Sequence, residues 1–325
     1  MSAQRVVVTD YTFPSLAQEE AAARAAGAEF AAYQCRSADE VTEALAGATV
    51  GVVQFARCTA EAVAGLAPNA ALIRYGIGFD NIDVDAAGTR RIPVGYVPDY
   101  CLDEVAEHAA ASLLALLRKL PALDASVRAG EWQAVAVARP MKPFSETLVG
   151  FFGFGQIGRL VHRRLKGFGF SFAVADPVLS DAEAAELGVR QVDADTLFGE
   201  ADAISLHAPA TPQTHHVVNA ERLAQMRPNA VIVNTSRGAL VDEDALAAAL
   251  RAGRIAGAAL DVFEVEPLAA GSPLHQAPGA LLTPHAAWYS ENAIARLQGL
   301  VAQDITNHLT GRPLRRPVPG SFRHG

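Results

Sequence analysis

Leu148-Val149-Gly150-Phe151-Phe152-Gly153-Phe154-Gly155-Gln156-Ile157-Gly158 sets a short apolar run directly against three glycines in G-x-G-x-x-G spacing. The run suits a strand buried on both faces, and the residues up to about Phe168 carry a helix-compatible pattern. In that context the first glycine permits a tight turn, the second lets a pyrophosphate approach the backbone, and the third lets the helix pack on the strand. The helix start, at Gln156 and Ile157, offers amides to the anion. The glycine spacing alone arises by chance. Asp176 strengthens it, standing eighteen residues beyond Gly158 at the end of the next apolar run, where a carboxylate can bind both ribose hydroxyls. The bland alternative for Asp176 is a turn before Pro177. No arginine follows Asp176 closely and its charge repels a 2′-phosphate, so NAD is expected over NADP.

Working outward, short apolar runs alternate with longer stretches of helical period, and this happens twice along the chain. The first set of strands is predicted at 6–9, 29–32, 50–53, 71–74 and 94–96, with helices such as 15–26 and 59–66 between them. The second set is predicted at 148–152, 171–176, 203–206, 230–234, 256–261 and 280–283, six strands that suit a dinucleotide-binding sheet. A helix over 102–119 links the sets and stops at Pro121. A last helix over 290–310 is expected to return to the first domain, followed by a tail, 312–325, that is either disordered or in touch with a partner subunit. The fold class is α/β with two doubly wound parallel-sheet domains.

The bulk composition excludes other classes. At 325 residues, 50% hydrophobic and 19% charged, the chain is globular and long enough for two domains. A formal charge of −8 disfavours nucleic acid and anionic lipid. Cys35, Cys58 and Cys101 are odd in number and widely spaced, which fits thiols in a reducing cytoplasm rather than a disulfide framework. The chain opens into a core-strand pattern without a secretory signal, and its longest apolar run, 109–117, is too short to span a bilayer.

Thr235-Ser236-Arg237-Gly238, Asp261-Val262-Phe263-Glu264-Val265-Glu266-Pro267 and Thr283-Pro284-His285 together resemble signatures of the D-isomer-specific 2-hydroxyacid dehydrogenases. So do the glycine motif, Arg74-Tyr75-Gly76-Ile77-Gly78-Phe79-Asp80-Asn81-Ile82-Asp83 and His207-Ala208-Pro209. The resemblance implies an NAD-binding Rossmann domain, 100–289, inserted into a flavodoxin-like substrate domain, 1–99 with 290–325. It also implies a homodimer, with the 102–119 helix as a candidate surface. Arg237, Glu266 and His285 are then the catalytic set. Reducing a 2-keto acid needs a proton at the carbonyl oxygen, and a histidine has the pKa for that transfer. Glu266 would orient His285 and favour the imidazolium, and Arg237 would grip the substrate carboxylate or carbonyl with its planar fork. The family motif puts the acid immediately before proline, which favours Glu266 over Glu264.

Cofactor contacts are further expected at His207, Ala208, Pro209, Thr214, Thr235, Ser236, Arg237, Asp261 and His285. Arg74 and the amides of the loop through Gly76, Ile77 and Gly78 are expected to receive the substrate anion, and the resemblance implies that this loop closes from the smaller domain. After His285 the chain reads Ala286-Ala287-Trp288-Tyr289, where much of the family has glycines. That run, with Arg74, resembles the branch of the C-terminal-binding proteins, NAD-sensing corepressors that retain the dehydrogenase site. In that branch Trp288 would wall the substrate pocket and favour an apolar side chain, against the alternative of a core aromatic. Glyoxylate, hydroxypyruvate and 3-phosphoglycerate are the other substrate readings, the last disfavoured by the lack of a second basic cluster. An enzyme is expected over an NAD-gated interaction protein because the chain carries no long disordered extension. No metal is expected: His215 and His216 are neighbours predicted to point apart, with no acid or thiol close by.

Overall fold

The computed structural model describes residues 4–319 and 321. The chain divides into two compact units, one running to Tyr100 and resuming at Ser290, the other Cys101–Tyr289. Among the described residues no helix is long and apolar enough to cross a membrane.

The first unit is built on five parallel strands, β1 (Arg5–Val8), β2 (Glu29–Ala32), β3 (Val50–Val53), β4 (Ala71–Arg74) and β5 (Val94–Gly95). Their order, β2-β1-β3-β4-β5, is the flavodoxin-like arrangement. Val6 to Val8 and Val50 to Val53 are buried throughout, as a strand covered on both faces requires. The helix Glu291–Leu309 packs on the helix Ala17–Ala25, and the two share a buried polar knot. The Tyr75 hydroxyl donates to Glu19 Oε1 at 2.9 Å and Gln298 Nε2 donates to Glu19 Oε2 at 3.1 Å. Burial pushes the Glu19 carboxyl up, against the hydrogen bonds that lower it. The described part of the tail is ordered. Pro317 bridges Gly95, the Val318 amide donates to Val94 O at 2.8 Å, and Val318 is fully buried, so the segment after the last helix extends the edge of its own domain. Residues 320 and 322–325 lie outside the described residues.

The second unit holds seven parallel strands, β6 (Leu148–Phe152), β7 (Ser171–Ala175), β8 (Arg190–Gln191), β9 (Ala203–Leu206), β10 (Val231–Asn234), β11 (Gly257–Leu260) and β12 (Ala280–Leu282). The order β12-β11-β10-β9-β6-β7-β8 is that of a doubly wound dinucleotide-binding sheet with one strand more than predicted. The addition is β8, two residues at the sheet edge, too short and polar for a periodicity signal. The other strands alternate their faces with period two: Ile204, Leu206, Ile232 and Leu260 enter one core, while Val149, Phe151, Val231 and Val233 enter the other. The helix Leu102–Leu117 covers the second core through Ala106, Ala109 and Leu113. It ends before Pro121 as expected, yet Pro121 then sits in the first turn of a new helix, Leu120–Arg128, where its missing amide costs nothing.

Candidate active site

Every motif singled out in the second unit leaves the carboxyl end of a parallel strand: Gly153 after β6, Asp176 after β7, His207 after β9, Thr235 to Arg237 after β10, Asp261 to Glu266 after β11 and His285 after β12. In an open α/β sheet that rim forms the ligand crevice. A cleft of about 960 Å³ runs along it and is lined by Gly153, Gly155, Asp176, His207, Ala208, Pro209 and Thr214. Pro177, Val178, Val192 and Gln213 line it too; the sequence reading missed them, since nothing in their local pattern marks them.

Gly153 has φ +83°, and a Cβ on it would stand 2.7 Å from the amide nitrogen of Ala208, so the turn and the chain leaving β9 touch backbone to backbone. Asp176 braces the same turn: Oδ2 accepts from the Phe154 amide at 2.6 Å and Oδ1 from the Val178 amide at 2.8 Å. His207 Nε2 lies 2.8 Å from Ser205 Oγ and its ring stacks on Phe151. Burial pushes its pKa down to about 4, which keeps the ring neutral. Thr214 Oγ1 donates to Pro209 O at 2.7 Å and so closes the loop that walls the cleft. Gln156 lines a separate groove with Arg159 and Arg163. Ile157 packs against the core and Gly158 is buried in the helix. The Thr235 hydroxyl is buried with no hydrogen-bond partner among the described residues, as a side chain waiting for a ligand would be.

His285 Nδ1 lies 2.7 Å from Glu266 Oε2, with the two side chains 28% and 31% exposed. Burial alone would push the Glu266 carboxyl up. The hydrogen bond and charge of His285, the Phe263 amide and the charge of Arg237 outweigh it and hold the group below the usual carboxylate range. The structure thus brings Arg237, Glu266 and His285 together. Arg237 Nη1 donates to Ser236 O at 2.7 Å. Asn234 shapes this turn by accepting from the Ser236 amide and hydroxyl and donating to Arg237 O at 2.8 Å.

His285 has φ +51°, a left-handed conformation that a non-glycine residue holds only when its surroundings impose it. Asp261 imposes it. Its carbonyl accepts from the His285 amide at 2.8 Å. Its Oδ1 accepts from the Thr283 hydroxyl at 2.6 Å and the Ala286 amide at 2.8 Å, and Oδ2 from the Ala287 amide at 2.9 Å. The carboxylate of Asp261, expected at the cofactor, thus also builds the histidine turn. His108 Nε2 lies 3.1 Å from Thr283 Oγ1 and adds a contact that no motif announced.

The histidine pair overturns an expectation. The His215 and His216 rings stack at 3.9 Å rather than pointing apart, and an acid is close by: Glu264 Oε1 lies 3.4 Å from His215 Nε2, and Oε2 lies 3.2 Å from His216 Nε2. Glu264 and Glu266 thus serve different histidines.

In the first unit the Tyr75 amide donates to Val53 O and the Gly76 amide to Arg74 O, so the anion-receiving amides expected of this loop narrow to Ile77 and Gly78. Trp288 is half-buried and meets Tyr289 edge to face.

The family described as "D-isomer specific 2-hydroxyacid dehydrogenase, NAD binding domain" matches residues 110–287. The chain belongs to this family. A D-3-phosphoglycerate dehydrogenase of Mycobacterium bovis is 39% identical over 274 residues, 84% of this chain and 51% of the relative. This member of the family therefore spans about half the length of the curated relatives it matches. Among solved structures, an NADPH-dependent glyoxylate/hydroxypyruvate reductase from Sinorhizobium meliloti, in complex with NADP and malonate, is 30% identical with a TM-score of 0.84, covering 100% of this chain and 99% of that one. A D-lactate dehydrogenase from Aquifex aeolicus, complexed with NAD and lactic acid, is 26% identical with a TM-score of 0.84, covering 94% and 96%.

Proposed function

We propose that this family member is an NAD-dependent reductase of small 2-keto acids, running in reverse as a D-2-hydroxyacid dehydrogenase. The observation that carries the reading is the 2.7 Å contact between His285 and Glu266 on the sheet rim, within the electrostatic reach of Arg237. The residues fit a dinucleotide: a cleft beside the glycine turn, a carboxylate at Asp176 and the buried, unpartnered Thr235 hydroxyl. A bound nicotinamide supplies or accepts the hydride at C2. His285 delivers or removes the proton at the C2 oxygen, and Glu266 fixes the ring so that Nε2 is the atom that exchanges it. Arg237 binds the carboxylate or carbonyl oxygen and stabilises the charge that develops there.

The pocket preference we assign is an apolar 2-keto acid, because half-buried Trp288 follows the catalytic turn directly. The phosphate-bearing reading draws on the 39% identity to the mycobacterial D-3-phosphoglycerate dehydrogenase. One screen decides between them: kcat/KM for pyruvate, glyoxylate, hydroxypyruvate, 3-phosphohydroxypyruvate and longer apolar 2-keto acids, each with NADH and NADPH. The expected result is saturable turnover, best with an apolar side chain and with NADH, and a flattened side-chain preference in Trp288→Ala. Preference for the phosphorylated acid would replace the substrate assignment, and no turnover with any would overturn the reaction.

We also propose a homodimer, formed at a different surface from the 102–119 helix whose apolar face is already covered. The helices Leu120–Arg128 and Ala134–Ala138 have no buried residue, yet carry Leu120, Val127 and Val135 beside Trp132, which is 89% exposed. Such a patch suits burial by a second copy. Sedimentation should give a dimer that Trp132→Glu weakens; a wild-type monomer at micromolar concentration would refute it.

A further inference from the structure

We infer that His215, His216 and Glu264 form a binding site for one divalent transition-metal ion of the Zn2+ class, separate from the catalytic histidine. Their ligand atoms all lie within 4.8 Å of one another. The two Nε2 to carboxylate distances, 3.4 and 3.2 Å, are longer than the roughly 2.7–2.9 Å of a charge-assisted hydrogen bond. They run to different oxygens of one carboxylate, and each is close to the separation of about 3.3–3.5 Å between neighbouring ligands placed tetrahedrally at zinc bond lengths, so either oxygen can serve as the third ligand. Two imidazoles and one carboxylate select zinc-like ions over Mg2+ or Ca2+, which prefer all-oxygen shells. The partly exposed side chains leave a fourth position to solvent.

The two segments that supply the ligands are held in place by one piece of backbone. The His216 amide donates to Ala239 O at 2.8 Å, and Val218 bridges Val241. The peptide between Phe263 and Glu264 packs on Gly238, with no room for a Cβ there. The Glu264 amide also donates to Glu243 Oε1 at 2.7 Å. The turn Gly238–Leu240 is therefore a common base for both sides of the site. An ion seated there cross-links the loop that walls the cofactor cleft through Thr211, Gln213 and Thr214 to the loop that bears Glu266.

Equilibrium dialysis of the full chain against Zn2+ alone tests the assignment, with Mg2+ as the contrast. One Zn2+ per chain is expected, with a matching rise in Tm and no saturable Mg2+ binding. His216→Asn keeps a residue that tolerates φ +48° but removes the ligand, and Glu264→Gln removes the carboxylate from an exposed position. Loss of an outer-shell partner alone weakens metal sites by about 10–100-fold, so each variant should weaken Zn2+ binding at least about tenfold. Each should keep its metal-free Tm. A Cys35→Ser chain should bind as the wild type does. Absence of stoichiometric binding, binding unchanged in both ligand variants, or binding lost in Cys35→Ser would each overturn the site.

Discussion

His285→Ala should reduce kcat with any 2-keto acid by about a hundred- to ten-thousand-fold, the contribution typical of a positioned general acid. NADH affinity should stay nearly intact, because the cleft-lining residues Gly153, Asp176, His207 and Thr214 belong to other strand ends. Alanine also disfavours the left-handed backbone at this position, so a relaxed turn would lower activity as a lost proton donor does. His285→Asn separates the two. Asparagine adopts this backbone readily yet cannot serve as the acid. Both variants should therefore be equally inactive in steady-state assays while a fluorescence titration still reports NADH binding. Full activity in either one would remove His285 from the mechanism, and the proposed reaction with it.

Sequence and structure agree where a strand buries both faces. β6, β9 and β10 were legible because short, mostly apolar runs that stop at or just before a glycine, histidine or asparagine have few other uses. The edge strand β8 was not, since Arg190 and Gln191 carry no apolar signal and pair with β7 only through the backbone. Arg237, Glu266 and His285 were legible through their motifs, but the means of holding them was not. Asp261 reads as a rim carboxylate open to a ligand, and only the fold shows its oxygens capping the turn after β12. Asn234 reads as the last residue of a strand, although its amide builds the turn that presents Arg237. His215 and His216 fail for a related reason. Adjacent side chains point apart in a strand but not in a turn where His216 takes φ +48°, and Glu264 arrives from nearly fifty residues away. Local pattern carries no information on that approach.

Gly238→Ala is expected to have the second large effect, and through packing rather than chemistry. The methyl group would fall onto the carbonyl carbon of Phe263 and crowd the Glu264 amide, and both are backbone atoms that no rotamer change can move aside. The loop over residues 261–267 must shift or the turn Gly238–Leu240 must open. Overpacking of this kind costs typically about 1–3 kcal/mol, so a clear fall in Tm is expected. The activity loss should exceed what that instability explains. Phe263 donates its amide to Glu266 Oε1 at 3.0 Å, and Glu266 in turn fixes His285 at 2.7 Å, so a displaced peptide carries the carboxylate away from the ring. A misplacement of about 1 Å in such an array costs on the order of a hundredfold in rate. The comparison that isolates this is kcat measured well below the variant's own Tm, where the chain is folded and NADH still binds. A folded Gly238→Ala enzyme with wild-type kcat would show that the 261–267 loop does not need Gly238 to position Glu266.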